Sequence, residues 1–335
     1  MLYFFIWCPL LLAYAAEVLS LGGACADLLV HVPESFLVEH QIEKGGSSQI
    51  DVNSFNQLRK DLGSFPIEIH PGGSACNTIR GLSHLHHKTA FVAKIGDDDL
   101  GLVFTKALIH NKVDFHLLLS DKPTMQVLSL ITPDGDRTMR CLPGATNDLK
   151  ADDINPCLFD EISHLHLEGY ALYDIEMVER AMKMAKDQGA SISFDLSSFE
   201  IIRKHRDALH YLLPKYVDIL FCNEQEAFEM VQEHELEAAK ALAKICKIAV
   251  VAAGEKGAYL AYENNAVHIP TSPISIVDAT GAGDLFAAGF IHGYLSGVPL
   301  EKAVLWGHLT GGEVIQVIGA EIPDECWNRI LKQMK

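Results

Sequence analysis

Short apolar runs and longer amphipathic stretches take turns along this chain. The runs at 17–23 (EVLSLGG), 89–96 (TAFVAKIG), 163–169 (SHLHLEG), 190–197 (ASISFDLS), 217–223 (VDILFCN) and 247–254 (KIAVVAAG) have the length and composition of strands. Stretches such as 174–189 (DIEMVERAMKMAKDQG) and 224–245 (EQEAFEMVQEHELEAAKALAKI) repeat apolar residues at helical spacing. Near-continuous apolar strands joined through helices imply βαβ units, hence an α/β fold whose mostly parallel sheet has helices on both faces. Two regions depart from this rhythm. Residues 28–69 and 125–142 (MQVLSLITPDGDRTMRCL) read as alternating strands, with Pro133, Asp134, Gly135 and Asp136 as a turn. Pieces so far apart in sequence predict a small antiparallel sheet over the mouth of a cleft, a lid with strands drawn from about 28–70 and 113–142. GAYLAYENNAVHIP (257–270) predicts a further hairpin. No repeat or low-complexity linker interrupts 17–335, which reads as one domain with its lid.

Composition narrows the function. The 335 residues are 49% hydrophobic, enough for a large core. A net charge of −17 argues against nucleic-acid binding, which needs a basic stripe. An anionic substrate would have to meet local positive groups, such as a helix N-terminus, a few arginines or a metal. The cysteines (Cys8, Cys25, Cys76, Cys141, Cys157, Cys222, Cys246 and Cys326) show no CxxC and no zinc-like pairing, and most lie in apolar runs. That pattern predicts a reducing, cytoplasmic setting. The first sixteen residues, MLYFFIWCPLLLAYAA, are apolar without Lys or Arg and end at Ala13-Tyr14-Ala15. They lack a signal's basic start and are shorter than the ~20 residues of a spanning helix. A weak signal, a tether and an extension from an upstream start codon all remain open; no membrane is expected unless 1–16 are retained.

The stretch IVDATGAGDLFAAGF (276–290) carries the chemistry. It lacks the Lys of a P-loop and the third glycine of a dinucleotide fingerprint. It reads as a strand end, a glycine turn and a helix starting near Gly281. Thr280, Gly281, Ala282 and Gly283 would turn successive backbone N–H groups into one concavity at a positive helix end, an anion hole. Asp284 follows in the first helical turn. The two parts make sense together if they meet different groups: the amides a transferring phosphoryl, the carboxylate the proton of the attacking hydroxyl. An acidic cap on a tightly packed helix is the plainer alternative for the acid.

This stretch resembles the C-terminal signature of the ribokinase or PfkB-type carbohydrate kinases, close to D-T-x-G-A-G-D. PGGSACNTIRGLSHL (71–85) resembles the same family's N-terminal signature, and the similarity runs from about Glu17 to the C-terminus. The resemblance implies a ribokinase-like three-layer sandwich and an ATP-dependent phosphotransferase using Mg²⁺, with Asp284 as catalytic base beside Gly281, Ala282 and Gly283. It places Asp27, Gly72, Gly73 and Asn77 on the substrate, and Arg137 of the lid near substrate or phosphate. Asn223 and Glu226 of NEQE resemble the element that orders Mg²⁺-bound water and phosphate. Gly254 and Gly257 of GEKGA match a nucleotide-side turn, joined by Thr280. Asp278 resembles a position that helps hold a monovalent cation, K⁺, in some members. Ala252 stands where the family commonly has Thr, which removes one expected contact to ATP.

PGGSACNTIRGL, TPDGDRTM, HLEGYALYD and GAEIP resemble the adenosine-kinase-like branch. That implies transfer to the 5′-hydroxyl of a ribonucleoside, adenosine before others, with Phe36, Leu37, Phe65 and Leu130 as candidate walls for the base. A free-sugar kinase of ribokinase or fructokinase type and an inactive nucleoside- or sugar-binding sensor are the alternatives. The partner is a small molecule, and the chain is expected as a monomer or homodimer. HLHH (84–87) and HLH (164–166) invite a metal reading, but a helix end and a buried strand explain them better.

Overall fold

The computed structural model describes residues 16–335; the apolar run 1–15, with Cys8 and Ala13-Tyr14-Ala15, lies outside them. Fourteen strands follow in order: β1 (Val18–Leu21), β2 (Cys25–His31), β3 (Ser47–Gln49), β4 (Glu68–Gly72), β5 (Thr89–Gly96), β6 (Asp114–Ser120), β7 (Met125–Ile131), β8 (Arg137–Leu142), β9 (His164–Glu168), β10 (Ser191–Asp195), β11 (Ile219–Asn223), β12 (Ile248–Ala252), β13 (Ala258–Tyr262) and β14 (Asn265–Ile269). Nine of them form one sheet in the order β14-β13-β12-β11-β10-β9-β1-β5-β6. It is parallel from β12 to β6, and β13 and β14 add an antiparallel hairpin.

The strands are apolar on both faces because helices cover both. Leu19, Ile192, Phe194, Leu220 and Val251 pack with the helices Ile175–Asp187, Arg206–Tyr216 and Glu235–Leu242. Val18, Phe91, Phe221 and Val250 point the other way, onto the helices Ser74–His84, Asp99–His110, Ala282–Leu295 and Leu300–Val314. Neighbours in one strand serve opposite layers, as the two-residue period requires. His164 and His166 lie inside this sheet, bonded to the hydroxyls of Ser191 and Ser193 at 2.7–2.8 Å. Burial pushes both imidazoles down to about 3, so they are neutral core residues.

The other five strands form the lid, in the order β3-β8-β7-β2-β4. It is mixed rather than antiparallel, since β2 pairs β7 and β3 pairs β8 in parallel. Residues 114–120, assigned to the lid from sequence, are instead β6, the edge of the large sheet beside β5. The segment 28–69 also holds two helices, Glu34–Glu39 and Val52–Asp61, where strands alone were expected. The second had a readable signal. Asp51 caps it by accepting from the N–H groups of Asn53 and Ser54, and Phe55, Leu58 and Leu62 recur at helical spacing. The long helix expected over 224–245 is two, Glu224–Val231 and Glu235–Leu242, parted where Gln232 turns left-handed at φ 57°.

Candidate active site

A cleft of about 1180 Å³ opens between the lid and the C-terminal ends of β1, β9, β10 and β11. Two glycine turns bring two helix N-termini together inside it. Gly73 has φ 100°, and a Cβ there would sit 2.4 Å from the Gly23 carbonyl. Gly281, at φ 75°, caps the helix that begins at Ala282. The helices cross where Gly81 meets Ala288 and Leu285, at a spacing that leaves no room for a methyl group. Their first turns therefore converge on one carboxylate. Ser74 Oγ donates to Asp284 Oδ1 at 2.7 Å, and Asn77 Nδ2 donates to Asp284 Oδ2 at 2.8 Å.

Asp284 lines the cleft with no ion-pair partner among the described residues. Burial pushes its carboxyl up, against the Asn77 and Ser74 hydrogen bonds and the more distant Arg80. An oriented, uncompensated carboxylate at a cleft is a poised proton acceptor. Asn77, expected on the substrate, uses its amide N–H on Asp284.

Two of the four amides that the sequence suggested for an anion hole are used within the turn itself. Thr280 N–H donates to Asp278 Oδ1 at 2.9 Å, and Ala282 N–H to the Ala279 carbonyl at 3.2 Å. The N–H groups of Gly281, Gly283 and Asp284 have no backbone acceptor among the described residues, as at the first turn of any helix. Asp278 holds this turn together. It also accepts from Gly319 N–H at 2.7 Å and pairs with Arg137 at 2.5 Å. Arg137 donates to the Thr280 hydroxyl as well, so β8 of the lid is tied to the anion turn. Burial pushes Asp278 up, but these donors and the Arg137 charge hold it below the usual carboxylate range. Four donors thus meet the Asp278 carboxylate, the Arg137 guanidinium among them.

Asp27 faces the cleft from β2, its carboxyl raised by burial. A Cβ on Gly72 would lie 2.2 Å from Asp27 Oδ2, so the glycine makes room for the acid. Asn223 and Glu226 form a reciprocal cap: Asn223 Oδ1 accepts from Glu226 N–H at 2.8 Å, and Glu226 Oε2 from Asn223 N–H at 2.9 Å. Both also line the cleft, where burial pushes Glu226 up to about 7. Gly254 and Gly257 are not among the lining residues. Their left-handed φ values of 55° and 103° serve the turn between β12 and β13, where a Cβ on Gly257 would meet the Ile269 carbonyl at 2.2 Å.

The base-wall candidates face the wrong way. Phe36, Leu37 and Leu130 are buried in the outer core of the lid, with Phe65 packed against it. The two-residue period turns Met125, Val127, Met139 and Cys141 to the cleft instead, opposite Tyr170 and Tyr173. Ser74, Glu168 and Asp195 received no role from sequence. The signal was present: β9, β10 and β11 each end their apolar run on a polar residue, Glu168, Asp195 and Asn223, at the end of the sheet where such folds bind ligands.

Residues 40–326 match the pfkB family carbohydrate kinase model. A probable sugar kinase from Rhizobium etli superposes with TM-score 0.88 at 31% identity, over 95% of this chain and 98% of that one. The adenosine kinase from Sinorhizobium meliloti gives TM-score 0.88 at 31% identity, over 96% and 100%. A 5-dehydro-2-deoxygluconokinase from Geobacillus thermodenitrificans is 28% identical over 285 residues, 79% of this chain and 84% of the relative. The chain belongs to the pfkB family of carbohydrate kinases and has its α/β fold; it is a phosphotransferase acting on a hydroxyl acceptor.

Proposed function

We propose that this pfkB-family kinase transfers the γ-phosphoryl group of ATP to the 5′-hydroxyl of a ribonucleoside, adenosine in the first place, with Asp284 as general base. The observation that carries the choice of acceptor is the cleft face of the lid. Met125, Val127, Met139 and Cys141 with Tyr170 and Tyr173 make an apolar and aromatic wall, and Asp27 is the carboxylate set into the lid side of it. A flat heterocycle suits that wall while its ribose bonds Asp27; a free sugar would leave the wall unused.

Asp284 takes the proton of the acceptor hydroxyl as its oxygen attacks the γ-phosphorus and ADP departs. The amides of Gly281, Gly283 and Asp284 meet the charge that develops, each worth roughly 3–4 kcal/mol by analogy with oxyanion holes. Asn77 and Ser74 orient the base, and Arg137 keeps the lid over the turn. Glu226, with Asp195 near it, offers the hard oxygen donors that Mg²⁺ prefers, directly or through water. When bound, the ion would neutralise phosphate charge.

The seven cysteines described are free thiols, which supports a cytoplasmic setting. Among the described residues no helix is long and apolar enough to cross a membrane. ADP release over a panel of adenosine, other ribonucleosides, ribose, fructose and 5-dehydro-2-deoxygluconate tests the reading. Adenosine should give the highest kcat/KM, and Asp284→Asn should lower turnover at least about 10²-fold with substrate still bound. Preference for a free sugar refutes the acceptor assignment. Turnover that survives Asp284→Asn moves the base elsewhere.

A further inference from the structure

Asn77 gives one end of its amide to Asp284, with Nδ2 donating to Oδ2 at 2.8 Å. The other end, Oδ1, is buried and meets no donor of the described residues. Two donors are stranded in the same way. Arg80, 3% exposed and one helical turn on, uses its Nη atoms on the Pro71 and Ala320 carbonyls at 3.3 and 3.1 Å, and its Nε–H has no acceptor. Trp327, in the C-terminal helix Asp324–Gln333, is 4% exposed, and its Nε1–H has none either. The indole is not free to turn towards another acceptor. It stacks on the His84 ring at 4.8 Å, nearly parallel, and His84 is itself held by Asn111 Oδ1 at 2.7 Å.

Asn77, Arg80 and Trp327 line one void of about 10 Å³, closed by Gly81, Leu285 and Ala320. That is the room of a single water. The Arg80 and Trp327 N–H groups can only donate, and an amide oxygen can only accept, so these three atoms need a partner that does both. A water that accepts twice and donates once satisfies all of them, where leaving them unpaired in the interior is costly.

We propose that this void is a water site, and that its water makes Arg80 and Trp327 positioning residues for Asp284 through Asn77. The positioning role rests on Asp284 being the base; the water site does not. The water accepts from Arg80 Nε–H and Trp327 Nε1–H and donates to Asn77 Oδ1. With its oxygen held there, the Asn77 amide cannot turn over, and its N–H stays on Asp284 Oδ2. The two Arg80 bonds named above go to carbonyls, so its charge is available to this chain of bonds and strengthens the Asn77 N–H as a donor. Neither Arg80 nor Trp327 lines the cleft, so the C-terminal helix acts on the base from behind it.

The test is a crystal structure of the full chain at a resolution that orders water, with steady-state kinetics on the best acceptor of the panel. Wild type should show a water within about 2.7–3.2 Å of Asn77 Oδ1, Arg80 Nε and Trp327 Nε1. Trp327→Phe keeps a ring against His84 but has no N–H. It should lose the water, and kcat should fall about 2- to 10-fold, the worth of one hydrogen bond, at unchanged acceptor KM. Ile330→Val, at a residue of the same helix that is 2% exposed, is the control. Loosened packing alone would lower Tm in both variants and kcat in neither. A dry wild-type void, or a water that misses any of the three atoms, overturns the site whether or not Trp327→Phe folds. A filled void with wild-type kcat in Trp327→Phe overturns the positioning role. Turnover that survives Asp284→Asn removes the base and the positioning role with it, and the water site then stands or falls by the electron density alone.

Discussion

Gly72→Ala isolates what the lid does for the acceptor. Gly72 is not among the glycines with positive φ, so its backbone tolerates alanine. The added methyl would instead meet Asp27, at 2.2 Å from Oδ2, 2.6 Å from Cγ and 2.9 Å from Oδ1. The whole carboxylate head collides, and the acid must swing off its position or β4 must part from β2. Either movement takes Asp27 away from the acceptor. A hydrogen bond to a charged group contributes about 1.5–3 kcal/mol. At about 1.4 kcal/mol per decade, acceptor KM should rise roughly 10- to 100-fold. Asp27 acts on ground state and transition state alike, so kcat and the KM for ATP should stay near wild type. Steady-state kinetics on each substrate, with Asp27→Asn as reference, measure this. An unchanged acceptor KM in Gly72→Ala, alongside a raised one in Asp27→Asn, would refute the claim that glycine is needed to seat the acid.

Arg137→Met leaves Asp278, whose side chain is 3% exposed, without its cation. With Arg137 itself partly exposed, the cost should lie near the lower end of the roughly 3–5 kcal/mol for breaking a buried pair, read as a fall in Tm and a higher KM for ATP. Gly289→Ala puts a Cβ 2.3 Å from Thr310 Oγ1 and 2.4 Å from the Trp306 carbonyl. Overpacking of about 1–3 kcal/mol outweighs the ~1 kcal/mol that alanine adds to a helix, so calorimetry should show a lower Tm with turnover well below that temperature intact. Glu226 is raised by burial from 4.5 to about 7, so its neutral form favours folding at low pH and that contribution is lost as pH climbs through 7. The Tm of Glu226→Gln minus that of wild type, without Mg²⁺, should therefore increase between pH 5 and pH 8, by up to about 3 kcal/mol of stability. The buried His164 and His166, pushed down to about 3, act in the opposite sense and are common to both proteins. A flat difference would count against a buried neutral Glu226.

The α/β alternation, most strands and the glycine turn that sets Asp284 in the first turn of a helix were legible in the chain because they depend on local patterns. An apolar run of five to eight residues reads as a buried strand when turn residues bound it and helical stretches flank it. A glycine turn before a helix directs amides at one point wherever it occurs. Which side of each lid strand meets the cleft was not legible, because a period of two assigns residues to faces without saying which face is which. Only the packing of two helices on the lid's outer side sends Leu130 away from the cleft and Met139 into it. Tertiary structure alone also brings Arg137 to Asp278, 141 residues on, and Ser74 to Asp284, 210 residues on. Those contacts depend on how two glycine-notched helices cross, and helix crossing is set by the shapes that meet there.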